Sequence, residues 1–216
     1  PCPGTEVRVE EDGELSFRGD NIMKGYYKNP EANAEVFDGD WFKTGDLGRI
    51  DDDGYIHITG RKKEIYVLSG GKNVAPLVVE ETMKSIPVIS QVFLVGDGRK
   101  FCSALVTLDV GVILRDNLGM NPDKVPRDPM EQIEELERRG HKLSDFVESE
   151  EVRSDIESQI SELNKRFMNP EQIKKFTILP RDLNIDSGEL TPTLKIRRKQ
   201  IRENWADEIE AMYSEA

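Results

Sequence analysis

Cations and glycines are interleaved over residues 60–76, GRKKEIYVLSGGKNVAP, in an order that suits an anion. Arg61, Lys62, Lys63 and Glu64 come first, and Arg61 carries a planar fork of donors that matches phosphate or carboxylate. A β-prone run from Ile65 to Leu68 follows. Then come the turn Ser69-Gly70-Gly71-Lys72 and an extended stretch closing at Pro76. Two adjacent glycines admit φ > 0 and let a second backbone or a ligand approach closely. Taken alone, the segment reads more simply as a charge cluster at a domain edge. The second candidate is Asp46 in Thr44-Gly45-Asp46, just after the aromatic pair Trp41-Phe42. A carboxylate there can accept hydrogen bonds from sugar hydroxyls, as acidic residues do for ribose. Alone, it reads more simply as an ordinary turn aspartate. The third candidate is the loop from Ser187 to Lys195, with Gly188 freeing its base and Pro192 stiffening its middle. Lys195 ends the loop, before an amphipathic segment, where a long cation can swing toward an anion. A lysine at a helix start opposes the helix dipole. That small local conflict adds weight to a functional lysine, with a solvated lysine at a helix start as the open alternative.

Other chemistry is missing from the chain. It contains no Gly-x-Ser-x-Gly, no Gly-Lys-Ser/Thr phosphate loop and no His-Glu-x-x-His. Cys2 and Cys102 have no metal-ligand or CxxC spacing, and Cys102 falls in a strand pattern, as a core residue does. His57 and His141 are too few and too far apart to suggest a metal site. Unpaired cysteines point to a reduced, cytosolic setting. A net charge of −12 over 216 residues, 33% of them charged, argues against nonspecific nucleic-acid binding, which needs clustered cations. It leaves room for a small anion near Arg61 and Lys63 or near Arg197 and Lys199. No apolar run approaches the ~20 residues that a membrane span needs, and the N-terminus shows no signal-peptide pattern. The chain opens Pro1-Cys2-Pro3-Gly4 without a Met, so it is expected to be a piece of something longer. Its length suits one domain, or one domain plus part of another.

These residues need elements to hold them. Residues 6–60 read as β, with hairpin turns at Glu11-Asp12-Gly13 and Asp51-Asp52-Asp53-Gly54. Between them, Asn29-Pro30 caps a short helix over 32–36. Beyond Gly60 the pattern is mixed. It predicts helices over 77–85 and 110–117, and strands over 91–95, 102–108 and 173–179. The clearest helix covers 151–167, where Val152, Ile156, Ile160, Leu163 and Phe167 form one stripe. Another is expected from about 195 to 213, with Ile201, Trp205, Ile209 and Met212 on one face. Residues 115–149 are polar and weakly periodic, and read as a solvated surface excursion.

Taken in order, Gly13-Glu14-Leu15, Gly25-Tyr26-Tyr27-Lys28-Asn29-Pro30-Glu31, Trp41-Phe42-Lys43-Thr44-Gly45-Asp46, Asp53-Gly54-Tyr55-Ile56, Gly60-Arg61-Lys62-Lys63-Glu64 and Ser69-Gly70-Gly71-Lys72-Asn73-Val74-Ala75-Pro76 resemble the C-terminal third of an adenylate-forming enzyme. That superfamily holds acyl-CoA synthetases, adenylation domains of nonribosomal peptide synthetases and beetle luciferases. The resemblance covers about residues 13–213. It implies an α+β fold: a β-hairpin, barrel-like remnant of a large N-terminal domain over 1–60, then a small mixed α/β C-terminal lid domain over 61–216 with a polar insertion at about 115–149. By position, Asp46 resembles the residue that holds the ribose hydroxyls of ATP and acyl-AMP, and Arg61 the arginine that contacts the nucleotide. Lys63 falls at the hinge. Lys195 resembles the mobile lysine that stabilises charge at the α-phosphate. Ser69, Gly70, Gly71 and Lys72 resemble the loop lining the tunnel for the thiol, CoA.

Many members carry Gly just before that lysine, where this chain has Leu194. Long-chain acyl-CoA synthetases typically read like Leu190-Thr191-Pro192-Thr193-Leu194-Lys195. The resemblance therefore implies part of a long-chain fatty acid–CoA ligase. The intact enzyme would use fatty acid, ATP and CoA, with Mg²⁺ whose ligands lie outside this chain, through an N-terminal domain that this chain lacks. The chain alone is expected to be inactive. A ligase for another carboxylic acid, and a noncatalytic interaction domain of the same fold, stay open as alternatives. The expected location is cytoplasmic, with peripheral association at the inner membrane face left open. Nothing in the sequence speaks to oligomeric state.

Overall fold

The computed structural model describes residues 2–214. They form two compact units: residues through Tyr66 together with Asn73–Val78, and Val67–Lys72 together with residues from Val79 onward.

The first unit is a sheet built from hairpins. β1 (Thr5–Val9) pairs antiparallel with β2 (Glu14–Gly19). The Asp12 side chain accepts from the Glu14 amide at 3.1 Å and tightens their turn. α1 (Pro30–Val36) starts where Asn29 caps the Ala32 amide and proline fills the first turn. β3 (Phe37–Asp38), β4 (Trp41–Ile50) and β5 (Ile56–Arg61) complete the sheet, with β4 paired to β2, β3 and β5. At the Asp51-to-Gly54 turn the Asp51 carboxylate accepts from the Tyr55 amide at 2.8 Å. Among these five strands only Glu14, Leu15, Ser16 and Gly60 are fully buried. A sheet with one fully buried apolar side chain has little core of its own. The short ribbon of β6 (Tyr66–Val67) and β7 (Asn73–Val74) carries the division between the units.

The second unit has a true core. α2 (Pro76–Met83) enters it, and its sheet runs in the order β10-β9-β8. β8 (Ile89–Val95) is antiparallel to β9 (Cys102–Leu108), and β10 (Ile173–Ile178) is parallel to it. All seven residues of β9 are buried, as expected of a central strand covered on both faces. A parallel pair needs a long crossover. Here α3 (Val110–Val112) and a π-turn (Ile113–Asn117), α4 (Pro129–Arg138), α5 (Leu143–Val147) and α6 (Glu150–Asn164) supply it. In α6 the stripe Val152, Ile156 and Ile160 is buried.

Two sequence expectations change. Residues 115–149 are not uniformly solvated loop. Asp128 caps α4 by accepting from the Met130 and Glu131 amides, and Leu136 is fully buried. Ile133 and Leu136 share the less exposed face of α4, a short period within a segment that is polar as a whole. The helix expected over 195–213 is two helices, α7 (Arg198–Asn204) and α8 (Ala206–Ser214). The backbone leaves the helical region at Trp205, at φ −117° and ψ 31°. Ile201, Trp205, Ile209 and Met212 still share one core with Phe93, Leu105 and Leu179.

Burial of Leu136 makes the excursion part of the folded unit. Leu136→Ala is expected to destabilise the protein by about 2–5 kcal/mol, the range for emptying a packed leucine site. Urea denaturation followed by circular dichroism measures it. A change under ~0.5 kcal/mol would mean that α4 is not docked.

Candidate functional site

Asp46 is placed by a bulge. Glu14 pairs with Leu47 and Ser16 with Lys43, so β4 fits more residues than β2 into the same span. The surplus is taken up at Thr44-Gly45-Asp46, where Gly45 has φ +74°, a region that disfavours side chains. Three hydrogen bonds fix it. The Gly45 amide donates to Glu14 Oε1 at 2.8 Å, the Thr44 hydroxyl donates to the Leu15 carbonyl at 2.8 Å, and the Asp46 amide donates to Thr44 Oγ1 at 3.0 Å. Glu14 is buried, and its second oxygen accepts from Lys62 Nζ at 3.0 Å. The Lys62 ammonium is pushed up to about 12, first by its hydrogen bond to Asp12 and then by Glu14.

Held this way, Asp46 lies directly across from Arg61 of β5, with Arg61 Nε 2.9 Å from Asp46 Oδ1. The aspartate is 25% exposed and the arginine 61%. An open groove of about 860 Å³ runs past this edge, lined by Glu10, Asp12, Glu14, Thr44, Gly45 and Arg61 among others. The contact engages the inner nitrogen of the guanidinium. The guanidinium also carries two terminal nitrogens, the fork that matches a phosphate. Lys63 sits in the 3-10 turn Lys62–Glu64 that follows β5. It reaches Glu35 at 3.3 Å with 90% of its side chain exposed, a contact worth under ~1 kcal/mol.

Ser69, Gly70, Gly71 and Lys72 belong to the second unit. Their turn closes through Gly71 N–H to the Leu68 carbonyl at 2.8 Å and Leu68 N–H to the Lys72 carbonyl at 2.9 Å, with Gly71 at φ +72°. The β8–β9 turn holds the loop's base: the Ser69 amide donates to the Arg99 carbonyl at 2.8 Å, and the Val67 amide to Asp97 Oδ1 at 3.1 Å. All four residues are exposed.

Lys195 does not stand at a helix start, so the dipole argument does not apply to it. Leu190 bridges Ile196 in antiparallel fashion, and the residues between them form a tight hairpin. Thr191 N–H donates to the Lys195 carbonyl at 2.8 Å, Leu194 N–H to the Thr191 carbonyl at 2.8 Å, and Lys195 N–H to Thr191 Oγ1 at 3.0 Å. Such loops end in a left-handed residue, usually glycine. Here it is Leu194, at φ +59° with its side chain 70% exposed. The lysine follows directly and is exposed.

Two buried acids grip the feet of this hairpin, and sequence reading alone did not single out either. Glu189 has no exposure and accepts both arms of Arg181, at 2.7 and 2.9 Å. Beyond the other foot, Arg198 meets Glu80 of α2 through two 2.7 Å bonds, and Glu80 Oε1 also accepts from the Leu94 amide at 2.8 Å. A lone Glu beside Gly188 or within an apolar helix gives no local sign of a partner so far along the chain. Asp46 and Arg61 are thus brought together in the first unit, while Lys195 and the Ser69-to-Lys72 loop are built in the second. Cys102 is buried, its thiol pushed up to about 11 by desolvation, which is core behaviour and not that of a nucleophile. Among the described residues no group of three or more His, Cys, Asp or Glu is arranged to hold a metal, and no helix is long and apolar enough to cross a membrane.

Leu194→Gly removes a left-handed strain of about 1–2 kcal/mol and adds about 0.5–1 kcal/mol of unfolded-state entropy. The net expectation is stabilisation of up to about 1 kcal/mol, read as a raised urea midpoint at constant slope. A lowered midpoint would mean that the leucine side chain is stabilising its position.

Comparison with known proteins assigns the family. Long-chain-fatty-acid–CoA ligase FadD15 of Mycobacterium tuberculosis is 40% identical over 99% of this chain and 33% of its own length. Human long-chain-fatty-acid–CoA ligase ACSBG1 is 36% identical over 99% of this chain and 30% of its own length. The chain thus spans about a third of these curated relatives. Among solved structures, the A domain of carboxylic acid reductase from Segniliparus rugosus, in complex with AMP and a co-purified carboxylic acid, superposes with a TM-score of 0.67 at 22% identity, over 98% of this chain and 31% of that one. O-succinylbenzoate coenzyme A synthetase from Bacillus subtilis, in complex with AMP, gives 0.58 at 22%, over 94% and 34%. At that identity the likeness is one of fold. The model of the AMP-binding enzyme C-terminal domain matches residues 63–145 and 136–216, more than half of the sequence, and the chain belongs to that family.

Proposed function

We propose that this chain is the C-terminal part of an AMP-forming long-chain fatty acid–CoA ligase. The observation that carries the reading is the Asp46–Arg61 pair at the edge of an open groove, a carboxylate and a guanidinium held in register across β4 and β5. A carboxylate has about four lone-pair sites, so Asp46 can keep Arg61 and still accept ribose hydroxyls. Arg61 offers its outer nitrogens to phosphate. The long-chain ligases matched over nearly the whole chain support fatty acid as the substrate class.

In this reading a fatty acid carboxylate attacks the α-phosphorus of ATP. The bond to the bridging oxygen breaks, pyrophosphate leaves, and acyl-AMP remains. Mg²⁺ comes with the ATP phosphates and screens their charge. The Lys195 ammonium stabilises the charge that gathers at the α-phosphate. CoA sulfur, having lost its proton, then attacks the acyl carbon and AMP departs. The exposed Ser69-to-Lys72 turn lines the approach of the thiol. The division between the units falls at Tyr66–Val67, a little past Lys63, and Lys63 serves as the pivot that presents Lys195 or that turn in alternation. A lysine tied down only by a solvated ion pair suits a pivot.

In the intact protein, Lys195→Ala is expected to slow adenylation of palmitate by about 10²–10³, the range for removing one electrostatic donor. Thioester formation from supplied palmitoyl-AMP is expected to stay within about threefold on the same reasoning. Equal loss in both half-reactions would sink the assignment. The 216-residue chain by itself is expected to show no palmitate-dependent ATP–pyrophosphate exchange. Exchange above the no-enzyme control would show that it carries a complete adenylation site.

A further inference from the structure

We propose that Glu189 is the positioning residue for Lys195: a buried carboxylate that sets the direction in which the lysine hairpin leaves the fold. The proposal rests on the reading of Lys195 given above. Glu189 has no exposure and takes five donors. Oε1 accepts from Arg181 Nη2 at 2.9 Å, Trp205 Nε1 at 2.9 Å and Asn204 Nδ2 at 3.1 Å. Oε2 accepts from Arg181 Nη1 at 2.7 Å and the Asn184 amide at 3.0 Å. These donors come from three places: the segment after β10, the loop before the hairpin, and the break between α7 and α8. Arg181 also stacks over Trp205, 4.9 Å from the ring centre, so the donors brace one another.

The backbone carries that position to the lysine. The Glu189 carbonyl accepts from the Arg197 amide at 2.8 Å, one step outside the Leu190–Ile196 bridge. Inside the bridge, Thr191 and Lys195 are joined by two bonds, at 2.8 and 3.0 Å. The hairpin is therefore a rigid arm with Glu189 at its root and Lys195 near its tip. A carboxylate is one of several ways to fill such a site. A buried ion pair can often be replaced by apolar residues with no loss, and Leu190, Ile201 and Ile209 already fill the surrounding core. What five directional donors supply is an orientation, and a displacement of ~1 Å at a reacting group can reduce rate about 10²-fold.

The test uses the intact protein with Glu189→Gln, Arg181→Lys and Lys195→Ala. Adenylation of palmitate, thioester formation from palmitoyl-AMP, and hydrogen exchange at individual amides are measured. Gln keeps the shape but turns an NH₂ toward donors. Glu189→Gln is expected to lower adenylation kcat at least about tenfold with the ATP KM within about threefold, and to leave thioester formation within about threefold, as for a misplaced group. Exchange is expected to quicken at Thr191 and Arg197 while β9 is unchanged. Arg181→Lys, which keeps the charge and loses the fork, is expected to fall between Glu189→Gln and the parent. Adenylation within about twofold of the parent in Glu189→Gln, while Lys195→Ala disables it, overturns the positioning role. A parallel fall in both half-reactions, with exchange quickened throughout the second unit, overturns it as well, since that is simple destabilisation. If Glu189→Gln does not fold, Arg181→Lys decides by the same split. If Lys195→Ala leaves adenylation intact, the reading of Lys195 fails first and takes this inference with it.

Discussion

A carboxylate removed from water has to find donors for its lone pairs or give up its charge, and the end of this chain is shaped around that requirement. Burial alone would raise the Glu189 carboxyl. Arg181, Asn204 and the Asn184 amide outweigh it and hold the group below the usual carboxylate range. The backbone leaves the helix at Trp205, where the indole N–H reaches the same oxygen as Asn204. Two short helices then serve one core. The foot of the hairpin, the helix break and the segment after β10 meet at one buried charge.

The same device recurs beside Asp46 and again beside Lys195. Glu14 is buried in β2 and holds the Gly45 amide, which fixes the bulge bearing Asp46. Glu80 is buried in α2 and holds Arg198, three residues past Lys195. In each case the backbone that carries the candidate group is held at its root by a buried acid. Loops set on rigid elements are where binding and catalytic groups concentrate. Long cations such as Lys63, Lys72 and Lys195 add reach to that arrangement. The charge of −12 is also easier to understand. Acids serve as internal braces as well as solvated surface, so net charge understates the few cations that face solvent at the loops.

Features with local signals were legible in the sequence. The Asp-Gly turns give the hairpins, Asn29-Pro30 gives α1, and the period of Val152, Ile156 and Ile160 gives α6. Asp46 and Arg61 could be named by the order of motifs, and strand register explains why they meet. What stayed hidden depends on distant partners. The hairpin at Lys195 had no glycine to announce its left-handed residue, because Leu194 takes that place. Trp205 continues the apolar period of a helix that the backbone has already left. In α4, by contrast, the local signals, an Asp128-Pro129 start and apolar Ile133 and Leu136 on one face, are present but masked by the polar character of 115–149 as a whole. The braces Glu14, Glu80 and Glu189 read as ordinary acids until the partners that neutralise them are in view.

The bulge in β4 separates the strand into two lengths that keep independent phase. On one side Lys43 answers to Ser16, and on the other Leu47 answers to Glu14. The inward and outward alternation of each length is set by its own neighbours. The Thr44-to-Asp46 joint is pinned where the two lengths meet, and β4 slips register again at Leu47/Gly48 against β5. A residue gained or lost at the joint would change the aim of Asp46. The short Thr44-to-Asp46 stretch therefore sets where one phase ends, where the next begins, and how Asp46 faces Arg61.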